Sequence, residues 1–185
     1  HHQAFKKYYF NINNKMNQNS IQLDATDLQL LQLLQEDCSR SNQALAALLQ
    51  LSPPTCLRRV RRLQESGLIE RQVAILQPER LAAALGHGLQ AIVEVSLDRQ
   101  DSDALDGFER RAVALDAVQQ CWRVSAGPDF ILVVAAPDMP AYLELSRALF
   151  TGDANVRNVK SFFSVRRAKF STAMPLPPAN PGTGA

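Results

Sequence analysis

The sequence predicts an α+β protein in two parts: three helices, then a ferredoxin-like βαββαβ unit. Two rhythms carry that prediction. Up to Gly67, apolar residues recur every three or four positions in three runs, each opened by Asp or Ser, the mark of capped amphipathic helices. From residue 88 onward, short β-type runs exchange with helical ones in the order β-α-β-β-α-β. The 46% apolar and 21% charged content is that of a folded globular chain, and no repeat of solenoid period is visible.

Residues 1–20, opening with His1-His2 and rich in asparagine, read as a tag or disordered segment, with Met16 a candidate native start. Asp24 fits the N-cap of the first helix, with Asp27 in the place of a capping-box partner. Leu28, Leu31 and Leu34, flanked by Leu30 and Leu33, give its apolar face, ending near Cys38. Ser41 caps a second helix with Leu45, Leu48 and Leu49 as its buried stripe. Ser52 caps the third, and Pro53 and Pro54 take its first two positions, where amides have no intrahelical partner. At 100° per residue, Cys56, Leu57, Val60 and Leu63 share one arc of this helix. Arg58, Arg61 and Arg62 gather on the opposite arc, with Pro54 and Thr55 nearer its start. Gly67 fits a left-handed residue just past the helix end. Leu68–Leu76 alternates enough for one or two short strands, a wing-like hairpin or a hinge strand. The first part thus spans 21–76, with a hinge at 77–87.

The second part spans 88–172. Ala91–Leu97 alternates as a half-buried strand, and Asp103–Leu115 is helical, with Leu105, Phe108, Ala112 and Leu115 on one face. Val118–Val124 and Asp129–Ala136 are strands joined by a short turn. The second of them is apolar on both faces, as expected of a central strand covered on both sides. Asp138 caps a helix carrying Met139, Tyr142, Leu143 and Leu149, and Val156–Phe170 closes the sheet. Residues 173–185, rich in Pro and Gly, read as a flexible tail.

Several function classes drop out. No apolar run approaches the ~20 residues that span a bilayer, and no secretory signal pattern is visible, so the expected location is cytoplasmic. Cys38, Cys56 and Cys121 are odd in number and far apart, which suits reduced thiols, and Cys56 on the apolar arc suits a small buried hydrophobe. With His1, His2 and His87 as the histidines, no cluster has zinc-ligand spacing. Neither a nucleophile with its base, a P-loop nor a dinucleotide fingerprint is present, so no enzyme and no cofactor are expected. The net charge is only +2, so a polyanion-binding surface must be local. Ile21–Arg80 holds seven arginines and seven acids, yet four of those arginines lie in Arg58–Arg62.

From Leu23 to Leu81 the chain resembles the N-terminal half of the Lrp/AsnC (feast/famine) transcriptional regulators. The likeness rests on the LDATD start, the LSPPTCLRRVRRLQESGLI segment and the short LQP hinge. From about Gly88 to Phe170, including PDMPAY at Pro137–Tyr142, it resembles their effector-sensing half. The resemblance implies an N-terminal winged helix-turn-helix, with the motif over Asn42–Arg61, that binds double-stranded promoter DNA. It also implies a C-terminal domain that dimerises, often assembles dimers into octamers, and binds a small effector, usually an amino acid; dimer and octamer both stay open.

Two departures stand out. Gln50 occupies the turn where relatives often carry Gly. Ala126-Gly127-Pro128-Asp129-Phe130 replaces an effector loop of the type G-D/E-Y/F-D-Y, and Pro128 removes one amide donor. The DNA-binding residues expected are Ser52, Pro54, Thr55, Arg58, Arg59, Arg61 and Arg62. Ser52 and the first-turn amides suit phosphates; Pro54, Thr55 and Arg58 suit base edges; Arg59, Arg61 and Arg62 suit phosphates. The effector residues expected are Ser125, Ala126, Gly127, Pro128, Asp129, Phe130, Met139 and Tyr142. Two other readings stand beside these: an amino-acid-binding regulatory subunit of a metabolic enzyme, and a second part that only dimerises.

Overall fold

The structure, a computed structural model, describes residues 21–85 and 88–177. The readings of 1–20, of His87 and of the tail past 177 therefore lie outside the described residues. The chain divides into two compact units, one of 21–74 joined by 169–177 and one of Ile75–Ala168.

The first unit holds α1 (Ala25–Glu36), α2 (Asn42–Leu48) and α3 (Pro53–Glu65). The capping box at Asp24 forms in full. Its carboxylate accepts the Asp27 amide at 2.9 Å, and the Asp27 carboxylate accepts the Asp24 amide at 3.1 Å. Ser41 and Ser52 cap the other two helices through the Ala44 and Thr55 amides. Leu30, Leu45, Ala46, Cys56 and Leu63 form the buried core. Leu48 and Leu57, expected inside, are exposed. The buried arc of α2 is centred between Leu45, Ala46 and Leu49, and that of α3 near Cys56, Val60 and Leu63, so both leucines fall past an edge.

The α2–α3 turn closes as a Schellman motif. The Leu51 amide reaches the Ala46 carbonyl at 2.9 Å, and the Gln50 amide reaches that of Ala47 at 3.3 Å. Gln50 sits at φ 55°, the left-handed residue this turn requires, and Gly67 does the same after α3 at φ 78°.

Three expectations are corrected here. No strand forms between Gly67 and Pro78: among the described residues the alternating segment has no second strand to pair with, and Val73, Ile75 and Leu76 are exposed. Most of the hinge is a helix, α4 (Pro78–Leu85), with Pro78 at its first position and alanines behind it. Met174, assigned to the flexible tail, is held at both backbone groups: its amide donates to Gln35 Oε1 at 2.6 Å, and Gln35 Nε2 donates to its carbonyl at 3.2 Å.

The second unit continues with β1 (Leu89–Leu97), α5 (Ser102–Val113), β2 (Val118–Arg123), β3 (Phe130–Ala136), α6 (Met139–Ser146) and β4 (Val156–Phe163). A single π turn, Arg147–Thr151, extends α6. The strands form one antiparallel sheet in the order β2-β3-β1-β4. Val93, Val95 and Leu97 of β1 and Phe130, Leu132 and Val134 of β3 face the helices, burying Phe108, Tyr142 and Phe150.

β4 stops at Phe163 rather than Phe170. A larger correction concerns β3, expected to be covered on both faces. Both helices cover the same face. The opposite face carries the half-buried Ile131 and Val133, beside Ile92, Trp122 and Phe162 at 49%, 58% and 52% exposure.

Candidate nucleic-acid interface and effector domain

The tie between α2 and α3 is local: Asn42 Nδ2 donates to the Pro53 carbonyl at 2.8 Å. It joins the first residue of one helix to the first of the next, so α3 leaves the turn in a fixed direction. Ser52, Pro54, Arg58 and Arg61 are exposed on it, and Thr55 is half-buried. The Ser52 hydroxyl already serves the cap and meets the Thr55 hydroxyl at 2.8 Å. Among the described residues, no ion pair engages Arg58 or Arg61.

The other two arginines are held by carboxylates: Arg59, on the side facing α1, and Arg62, one turn past Arg58 on the outward arc. Arg59 Nη1 lies 2.7 Å from Asp24 and 2.8 Å from one oxygen of Asp27. Arg62 binds the other Asp27 oxygen and approaches the Gln22 carbonyl at 3.5 Å. The Asp27 side chain is 1% exposed, against 22% for Arg59 and 44% for Arg62. A buried carboxylate is tolerated here because both its oxygens are met by guanidinium groups.

Asp24 and Arg59 favour each other's ionised forms. Partial desolvation would raise the Asp24 pKa, but the Asp27 amide and the Arg59 guanidinium bring it below the ordinary value. The Asp24 and Asp27 carboxylates push Arg59 up against its own desolvation. Burial raises the Cys56 thiol, in keeping with its place in the core. The sequence reading gave Asp24 and Asp27 only a capping role. The missed signal was angular: Arg59 lies 100° around the helix from Arg58, toward the apolar arc and α1.

The expected effector residues do not gather in one chain. Ser125, Ala126 and Gly127 are exposed in the loop before β3, with Gly127 at φ 85°. Met139 and Tyr142 follow the other end of β3, a strand of seven residues, which is about 20 Å long at the usual rise. Asp129 is used by the fold: its carboxylate accepts the Leu97 amide at 2.7 Å, and its amide donates to the Val95 carbonyl at 2.9 Å. Phe130 is buried against Phe108, with ring centroids 4.8 Å apart. Tyr142 is buried edge-on to Phe163, with its hydroxyl on Ser161. Pro128 is half-buried and Met139 exposed. The exposed members of the set, the 125–127 loop and Met139, thus lie at opposite ends of β3.

A capped three-helix unit with arginines facing outward, followed by a βαββαβ sheet, defines a helix-turn-helix regulator with an appended ligand-binding domain. Comparison with known proteins agrees. Residues 23–64 match the AsnC-type helix-turn-helix domain, and residues 90–174 match the Lrp/AsnC ligand binding domain. The chain belongs to the Lrp/AsnC family of transcriptional regulators. It is 34% identical over 149 residues to the leucine-responsive regulatory protein of Rhizobium meliloti, covering 80% of this chain and 93% of that one. An AsnC family regulator from Agrobacterium tumefaciens has the same fold, with a TM-score of 0.74 and 27% identity, over 83% of this chain and 97% of that one. A transcriptional regulator from Neisseria meningitidis, solved in complex with L-Met, gives a TM-score of 0.71 and 32% identity over the same shares.

Proposed function

We propose that α3 enters the DNA major groove, with Pro54, Thr55 and Arg58 toward base edges and with Ser52 and Arg61 on phosphates. The observation that carries this reading is the outward pair Arg58 and Arg61 on a helix whose opposite side is locked into the core. A helix of this kind presents its N-terminal half to base edges while neighbouring cations fix its register on the backbone. Arg59 and Arg62, engaged by Asp24 and Asp27, are left out of the reading surface.

The functional species is a homodimer, assembled through the open sheet face. Phe162, Ile92 and Val133 stand in one cross-strand row, and Lys160, Glu94, Ile131 and Trp122 in the next. A second copy supplies the cover that β3 lacks on that side, which a strand apolar on both faces requires. One copy also cannot bring the 125–128 loop and Met139 to the same small ligand, so an effector contacting both takes them from two chains.

The ligand is an amino acid or a molecule of similar size, a reading supported by the match of residues 90–174 to a ligand-binding domain and by the L-Met complex of the Neisseria relative. The test is a gel-shift titration of the full chain on a duplex it selects from a random pool, repeated with each of the twenty amino acids. Salt-sensitive binding that one or a few amino acids shift supports the reading. No binding even at low salt would sink the DNA assignment, and binding indifferent to every amino acid would leave the second domain as a dimerisation module.

A further inference from the structure

We propose that Asp27 is a positioning residue for DNA binding, an internal stand-in for a phosphate that keeps Arg59 and Arg62 off the DNA backbone and fixes the rotation of α3. The proposal rests on the DNA-facing reading of α3 and goes beyond it by dividing the four arginines into two that meet DNA and two that hold the helix.

The geometry carries the division. Both Asp27 oxygens are occupied, one by Arg59 at 2.8 Å and one by Arg62. A carboxylate offers guanidinium groups the same fork of acceptors that a phosphate does. A DNA phosphate competing for Arg59 would have to strip a cation from a carboxylate that is 1% exposed, leaving a buried charge with less compensation. Arg59 is further anchored by Asp24 at 2.7 Å. Asp27 also belongs to the capping box at the start of α1. One side chain therefore connects the first turn of α1 to the middle of α3, and turning α3 about its axis would break both arginine pairings. That is how a residue with no access to DNA governs where Arg58 points.

The consequence appears in salt dependence, because each phosphate neutralised by a cation adds about 0.9 to the slope of log affinity against log salt. The experiment is gel-shift titration of the full chain at several salt concentrations on a selected duplex. It compares the native chain with Arg58→Ala, Arg61→Ala, Arg62→Ala, Asp27→Asn and the double variant Asp27→Asn/Arg62→Ala. Arg61→Ala should flatten the slope by about 0.9 for each phosphate left without its cation, whereas Arg62→Ala should leave it unchanged. Asp27→Asn should steepen the slope as Arg62 is released, lower the preference for the selected duplex over a scrambled one, and lose the added slope when Arg62→Ala is combined with it.

A flattening by Arg62→Ala as large as that by Arg61→Ala would overturn the proposal, and this comparison stands even if Asp27→Asn fails to fold. If neither Arg58→Ala nor Arg61→Ala changed binding at all, the DNA-facing reading of α3 would fail first, and the role of Asp27 with it.

Discussion

Arg58 lies 100° around α3 from Arg59, and that separation decides what each can touch. Arg58 points out on the side away from Cys56 and Leu63, whereas Arg59 faces α1 and finds Asp24 and Asp27. A cation near base edges makes its strongest discriminating contact with guanine. Arg58→Ala should therefore relax the preference at one base pair per half-site, by about 1–3 kcal/mol. Affinity measured across single-base variants of the selected duplex checks this, and uniform weakening at every position would mark Arg58 as a phosphate contact. The arginine cluster was legible in the sequence as charge, and the helix caps as spacing. Its internal division was not, because the pairing of Arg59 and Arg62 with Asp27 spans more than 30 positions and depends on how two helices pack.

At the scale of elements, the caps illustrate what local chemistry decides. Asp24, Ser41, Ser52 and Asp138 each accept an amide three residues on, as their residue types and positions predict. Gln50 obeys the turn instead of its own preference. The Schellman geometry imposes φ 55°, a conformation that costs a residue with a Cβ roughly 1 kcal/mol or more and glycine little. Gln50→Gly should therefore stabilise the first unit by up to about 1 kcal/mol, read as a higher unfolding midpoint. A lower midpoint would mean that the glutamine side chain contributes more than its backbone strain costs. The segment after Gly67 marks the limit of local reading. Its alternation suggests strands, but a strand exists only when something pairs with it, and no partner lies within this chain among the described residues.

At the scale of the whole molecule, the sheet is the reason to expect two copies. The sequence reading of β3 as a strand covered on both faces holds for one face only among the described residues. The expected effector residues divide for a related reason: the 125–128 loop and Met139 lie at opposite ends of β3, so one chain does not bring them together. Ile92 stands in the middle of the apolar row, so Ile92→Glu should convert the dimer to a monomer in sedimentation and weaken DNA binding well beyond tenfold. Two recognition helices held by a dimer read half-sites about one helical turn, ~34 Å, apart. The most direct measurement is the affinity of the native chain for its selected duplex before and after inserting five base pairs between the half-sites. This half-turn places the second site on the opposite side of the DNA. A dimeric reader should lose all but single-head binding on the altered duplex, and ten inserted base pairs, which restore the side but double the separation, should not recover it. Undiminished affinity with five inserted base pairs would contradict it.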